Sequence, residues 1–282
     1  MANLNGFRNQ VEPDDTQTVR GIAEELVLNV KRLGGLGASP YPQKEYPGEP
    51  GRMSYSYAVD PEALKQAALR MCTDAGVDLM FHAWCATPIV TDGRIGGIVV
   101  ENKSGRLALR AGVVVDATGD GDVAARAGVP FWHSKEPGEP RLGDSLMYRI
   151  RFGAQRPAGL GGPDLGRDMI VWGPFSKTMD GTDADALSRA EVAARLAVPD
   201  HFASLKEKHP ELADARIAET PVQLGVRQTR FIAGEYQLTG DDAIAGRRFA
   251  DVVALSSCAI IGYYGYRRYL THQGYDIPYR CL

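Results

Sequence analysis

Residues 113–128 read VVVDATGDGDVAARAG, and no other stretch of the 282 residues restricts the fold so strongly. The β-branched run Val113-Val114-Val115 ends in an acidic, glycine-bearing turn. Small residues then lead through Ala124, Ala125 and Ala127 to Gly128. Such an apolar run suits a central strand covered on both faces. Gly119 and Gly121 let the backbone turn sharply and approach a ligand closely. Asp120 or Asp122 is placed to cap the following helix, and the N–H groups at such a helix start suit a phosphate or a carbonyl oxygen. The pattern predicts a strand–turn–helix unit of α/β type, with a ligand at the carboxyl end of the strand.

Several ligand chemistries compete for that turn. Asp116, Thr118, Asp120 and Gly121 match the opening of a calcium-binding EF-hand loop, but the twelfth position, which needs a bidentate acid, is Ala127. Metal-assisted phosphotransfer would want a second acid two residues after a nucleophilic aspartate, where Thr118 stands. A nucleotide cofactor and a plain, tight strand-to-helix connection fit the pattern equally well.

Composition narrows the classes of function. The formal net charge of −3 gives no basic surface for nucleic acid. No run of about 18 apolar residues predicts a membrane span, and the start MANLN has no features of a secretory signal. Cys72, Cys85, Cys258 and Cys281 form no CxxC pair, which argues against a zinc site or a disulfide framework and points to a reducing cytoplasm. They read as small buried hydrophobes. The five histidines (His82, His133, His201, His209, His272) show no triad or metal spacing, so no general base is assigned.

Along the chain, a polar segment runs to Thr16. Val19, Ile22, Ala23, Leu26, Val30 and Leu33 then predict an amphipathic helix closed by Gly34-Gly35. Residues 36–56 read as a long loop, with a short strand near Met53 to Tyr57. Asp60-Pro61-Glu62 is a strong helix start, and Gly76 ends that helix. Val77 to Trp84 reads as a strand, followed by an antiparallel meander with turns at Asp92-Gly93 and Lys103-Ser104-Gly105. Beyond Gly128, strands are expected at Ser145–Phe152 and Asp168–Trp172. Two helices, Ser188–Leu196 and His201–Lys208, are expected on either side of Pro199. Strand-like alternation from Gln223 to Tyr236 precedes an aromatic tract from Tyr263 to Tyr279.

The string from Val113 to Gly128 closely resembles the second nucleotide-site motif of FAD-dependent oxidoreductases of the two-dinucleotide-binding-domain superfamily. More narrowly it resembles the FAD-dependent oxidoreductase family of bacterial flavoproteins. Three further blocks agree in order: Gly21 to Leu26 with Leu33 to Gly35, Gly225 to Arg230 with Gly234 to Tyr236, and Tyr275 to Arg280. The resemblance implies a partial Rossmann-like FAD domain with a meander insertion at 1–128, a mixed α+β substrate-side domain at 129–250, and a return segment at 251–282. It implies FAD as the cofactor, with Ala117, Thr118 and Gly119 in contact with it. Asp120, Gly121 and Asp122 would lie near its phosphates, where a cation, water or a pairing arginine must offset the acids. Trp84, Cys85 and Ala86 would contact adenine through the backbone, unless Trp84 is simply core.

Arg227 and Arg230, three apart on a presumed strand, point to opposite faces. One is expected to hold a substrate carboxylate by two parallel hydrogen bonds, with Arg227 favoured, and the other to be solvated or to pair with Glu235. No GxGxxG turn occurs, and the family's sequence continues past the YDIPYR-like block, so an internal fragment is expected. The expected function is therefore FAD-dependent oxidation or reduction of a small organic substrate. The rival is a non-catalytic flavoprotein remnant that no longer binds FAD and serves at most as a binding or assembly partner. Loss of flanking strands would expose sheet surface and favour self-association.

Overall fold

The computed structural model describes residues 3–5, 19–37, 41–42, 55–133, 143–154, 157, 165–175, 180–256, 260–261, 268–269 and 274–282. Most of the expected 36–56 loop and of the N-terminal polar segment, much of the aromatic tract, Cys258 and His272 lie outside them. Three short strands, β1 (Asn3–Asn5), β2 (Tyr41–Pro42) and β3 (Tyr55–Ala58), pair antiparallel in the order β1-β3-β2. Between β1 and β2 lies α1 (Ile22–Arg32), and α2 (Pro61–Asp74) follows β3. The Asp60 side chain accepts the Glu62 N–H at 3.0 Å, and Pro61 opens α2, as its sequence predicts. Val30, Val59, Ala63 and Ala67 form a small buried cluster between the two helices.

The meander is present as β4 (Trp84–Thr91), β5 (Arg94–Asn102) and β6 (Gly105–Arg110), in sequential antiparallel order. The expected strand Val77–Trp84 is absent: residues 77–83 join no ladder, and pairing begins at Trp84. Val77, Leu79, Met80 and Phe81 are all exposed, so this apolar run has no surface to pack on. Val113–Val115 also departs from expectation. No strand is formed there, and Val113 and Val115 are 81% and 82% exposed. A parallel strand needs a neighbour to take its backbone hydrogen bonds, and among the described residues none lies beside this run. Every ladder among the described residues is antiparallel. The architecture is thus mixed α/β with several antiparallel sheets, and the expected parallel Rossmann-like sheet is not seen in the described residues.

After α3 (Asp122–Arg126) come β7 (Phe131–His133), β8 (Tyr148–Arg151), β9 (Asp168–Val171), α4 (Ala184–Lys208), β10 (Arg216–Glu219) and β11 (Arg230–Ile232). The main core lies where the β10-β8-β9 sheet meets α4. Leu146, Tyr148, Ile150 and Phe152 alternate onto one face and meet Ala194, Val198 and Phe202. That i, i+4, i+8 stripe runs straight through Pro199. The two helices expected around the proline are therefore one 25-residue helix, because the continuous buried face outweighs the lost backbone hydrogen bond.

Tyr148 is fully buried, with its hydroxyl 2.9 Å from His201 Nδ1. Burial pushes its phenol up to about 12, while burial and the nearby Lys208 push the His201 imidazole down. On the opposite face of β8, Arg149 and Arg151 both grip the buried Asp168.

The last elements are α5 (Gly240–Ile244), β12 (Val252–Ser256), β13 (Ile260–Ile261), β14 (Arg268–Tyr269) and β15 (Tyr275–Pro278). β12 pairs with β15. The Tyr236 N–H donates to the Arg280 carbonyl at 3.0 Å, so two blocks far apart in sequence meet. Cys72, Cys85 and Cys281 are free and half-buried rather than buried as expected. Among the described residues no helix is long and apolar enough to cross a membrane, and no group of three or more His, Cys, Asp or Glu could hold a metal ion.

Candidate functional site

The acidic turn caps its own helix, by a different route from the expected one. Asp120 and Asp122 do not cap α3. Instead the Thr118 hydroxyl accepts the Asp122 N–H at 2.9 Å, and Asp116 Oδ2 accepts the Ala124 N–H at 2.9 Å. Asp116 Oδ1 takes the Thr118 N–H and hydroxyl as well. Burial works against the Asp116 charge, yet the hydrogen bonds from the Thr118 hydroxyl and from the Ala124, Thr118 and Val123 N–H groups hold its carboxyl below the ordinary range. The N–H groups at the start of α3, expected to suit a phosphate or a carbonyl oxygen, thus face Thr118 and Asp116. Sequence reasoning passed over Asp116 as a site residue, although an Asp two residues before a Thr is a signal for such local capping. Ala117, Thr118 and Gly119 remain exposed, and Gly119, at φ +90°, has open space where a side chain would stand.

Asp120 and Asp122 are held from across the molecule. The Thr229 hydroxyl donates to Asp120 Oδ1 at 2.6 Å. Arg230 Nη1 donates to the Asp120 carbonyl at 3.0 Å and to Asp122 Oδ1 at 2.9 Å. Arg230 also lies 5.4 Å from the Phe131 ring centre, on the strand that pairs with β11. It pairs with Asp122 rather than with Glu235. Gly121, in the left-handed region at φ +63°, abuts Ile232 of β11, and a Cβ there would lie 2.9 Å from Ile232 Cδ1.

Trp84–Ala86 stand next to α3. Arg126 of α3 donates to the Cys85 carbonyl at 3.0 Å, which ties the start of β4 to the helix. Ala86 is the extra residue of a bulge between the pairs Cys85–Val100 and Thr87–Val99. Trp84 is 67% exposed, so the reading of it as core fails. The structure thus brings the start of β4 against α3, the helix that follows the acidic turn.

Arg227 lies elsewhere. The expected strand Gln223–Tyr236 shrinks to Arg230–Ile232, and Arg227 precedes it in irregular backbone. It lines a cavity of about 310 Å³ with Lys65, Met147, Arg149, Glu219 and Val222. Lys65 and Arg149 are engaged by Glu62 and by Asp168 and Glu219 respectively. The Arg227 backbone N–H donates to Asp144 at 3.4 Å, but among the described residues its guanidinium has no partner. The polar wall supplied by Arg149 and Glu219 was not singled out from sequence, because their strands are joined only by the tertiary pairing of β8 and β10.

These residues suit a cofactor lying along a turn. The exposed Ala117-Thr118-Gly119 backbone gives an open edge, and Arg230 offsets the negative charge of Asp122.

The family described as FAD dependent oxidoreductase matches residues 3–156 and 161–282. No curated protein matches the chain. Among solved structures, the chain is similar to the crystal structure of L-proline dehydrogenase from P. horikoshii, at 13% identity and a TM-score of 0.34. That match covers 82% of this chain and 54% of the other, so the chain spans about half the length of that protein.

Proposed function

Because the chain belongs to the FAD dependent oxidoreductase family, whose cofactor is FAD, we propose that it oxidises or reduces a small organic carboxylate. FAD would be held along Ala117, Thr118, Gly119, Asp120, Gly121 and Asp122, with Trp84, Cys85 and Ala86 beside it. The bound flavin supplies the redox step, and the protein groups bind and orient the substrate. Asp116 and Thr118 keep the turn shaped, and Arg230 removes the charge that Asp122 would otherwise present to an anionic cofactor. In the 310 Å³ cavity, Arg227 would take the substrate carboxylate by two parallel hydrogen bonds.

The observation that carries this reading is that Arg227, exposed and with no side-chain partner among the described residues, lines a cavity that Met147, Ile170 and Pro221 also line. A cationic group with apolar neighbours selects a carboxylate on a small apolar body. From Arg227 to Arg230 is at most about 11 Å of backbone, so cavity and turn share one short segment.

Two measurements test the proposal. The visible spectrum of the purified chain, after addition of FAD and desalting, should keep flavin bands; a folded, colourless chain would instead favour the non-catalytic remnant. For the cavity, Arg227→Ala should weaken binding of a carboxylate such as benzoate by roughly 10- to 100-fold, the usual worth of a charged hydrogen-bonding group. Binding of benzamide should not change. Equal loss for both ligands would show that Arg227 only shapes the wall.

A further inference from the structure

We propose that Thr229 and Arg230 are positioning residues that hold the Asp120-Gly121-Asp122 turn for the cofactor and couple it to the cavity at Arg227. The carboxylate half of this inference rests on the reading of Arg227 given above, and the positioning half on the reading of residues 117–122 as the FAD edge. Three hydrogen bonds from two neighbouring residues land on two acids more than a hundred positions earlier in the chain. The holding residues are themselves firmly seated. Thr229 is buried, and Gly181 packs so closely on it that a Cβ there would lie 2.5 Å from Thr229 Cγ2. Arg230 is mostly buried, with its Nε enclosed and unpartnered among the described residues. On the other side, Leu224 lies in the main core with its N–H on Glu191.

Residues 224–230 therefore run from an anchored core position, past the cavity, to the turn. Val226 packs on the same Gly181 as Thr229, so Arg227 sits between two fixed neighbours. A carboxylate bound by Arg227 at the cavity acts on a segment whose next seated residues are the clamp. Because the segment is seated on both sides of Arg227, a displacement of Arg227 on binding passes to the clamp, which makes the two binding events cooperative.

Charge sharpens the role of Arg230. Its Nη1 serves Asp122 as well as the Asp120 carbonyl. Removing the guanidinium should free Asp122 to repel an anionic cofactor, and neutralising Asp122 should then undo part of the damage. A residue that merely supports the fold would show no such rescue.

The test is FAD titration of the full chain by flavin fluorescence, with and without saturating benzoate, with benzoate binding to the cofactor-free chain followed by calorimetry. Wild type should bind FAD about fivefold or more tightly in the presence of benzoate. Thr229→Val and Arg230→Met should weaken FAD binding about tenfold and remove the benzoate effect. Thr229→Ser, which keeps the hydroxyl, and the double variant Arg230→Met/Asp122→Asn should recover FAD affinity.

Unchanged FAD affinity in Thr229→Val and Arg230→Met overturns the proposal, as does a double variant no better than Arg230→Met alone. FAD affinity indifferent to benzoate that calorimetry shows bound overturns the coupling. If wild type binds no benzoate, the carboxylate reading falls, and the Ser and Val pair at position 229 alone decides the positioning role. The wild-type comparison needs no variant, so a misfolded substitution leaves the coupling testable, and urea unfolding of each variant without FAD separates loss of fold from loss of the clamp. A folded wild-type chain with no affinity for FAD overturns the proposal outright.

Discussion

Replacing Asp168 with alanine is expected to destabilise the protein by about 3 kcal/mol, toward the lower end of the cost of breaking a buried ion pair. Asp168 is buried and accepts Arg149 Nη1 at 2.9 Å, Arg151 Nε at 2.6 Å and Arg151 Nη2 at 2.8 Å. Without it the half-exposed Arg151 can turn to water. Arg149 is the more enclosed of the two, and its Nε already lacks a partner among the described residues. Its remaining ion pair, with Glu219, cannot replace a carboxylate shared by two guanidinium groups.

The pH dependence follows from the same contact. The hydrogen bond from Arg151, against a burial cost and with the added charges of Arg149, Arg151 and Arg167, holds the Asp168 carboxyl below the ordinary range. A folded value below the unfolded one means stability that is present above the unfolded value, near ~3.9, and lost as pH falls through the folded one. Urea midpoints of wild type and Asp168→Ala should therefore differ at pH 7 and converge as pH falls below the ordinary carboxylate range. A gap that persists unchanged into acid would show that packing, not charge, is what the substitution removes.

The second large effect belongs to Phe152. Its side chain is fully buried at the end of the Leu146–Phe152 face. Truncation to alanine should cost about 3–5 kcal/mol, the transfer free energy of the ring plus the cavity left behind. The same core holds Leu224, the residue from which the segment past Arg227 departs. Phe152→Ala should lower the urea midpoint with little change in slope while leaving FAD affinity of the folded fraction near that of wild type. A slope that falls sharply would mean that the core no longer unfolds as a unit. Loss of FAD affinity in a chain still folded would mean that this core also sets the geometry of the turn.

Elements with local causes were legible in the sequence. The Asp60-Pro61 start of α2, the Asp92-Gly93 turn and the three-strand meander all formed as expected, because cap, φ angle and alternation are set by neighbours along the chain. The four blocks that carry the family resemblance were legible for the same reason: each is a short string. Elements that depend on a distant partner were not. Pro199 reads as a break, yet a buried stripe of Ala194, Val198 and Phe202 carries α4 through it. Val113–Val115 reads as a strand, yet an apolar run becomes one only where a neighbouring chain accepts its hydrogen bonds.

The acidic turn shows the division most clearly. Its glycines, its helix start and its kinship with FAD enzymes are written in sixteen consecutive residues, since turn geometry and capping are short-range. What holds Asp120 and Asp122, namely Thr229 and Arg230, lies more than a hundred residues away, and no local pattern announces it. The same holds for the two arginines of the Gly225–Arg230 block: spacing alone made them alternatives for one role. Tertiary packing sent Arg230 to the turn and left Arg227 in the cavity, because a guanidinium goes where a carboxylate and a buried seat coincide, and only the folded chain decides where that is.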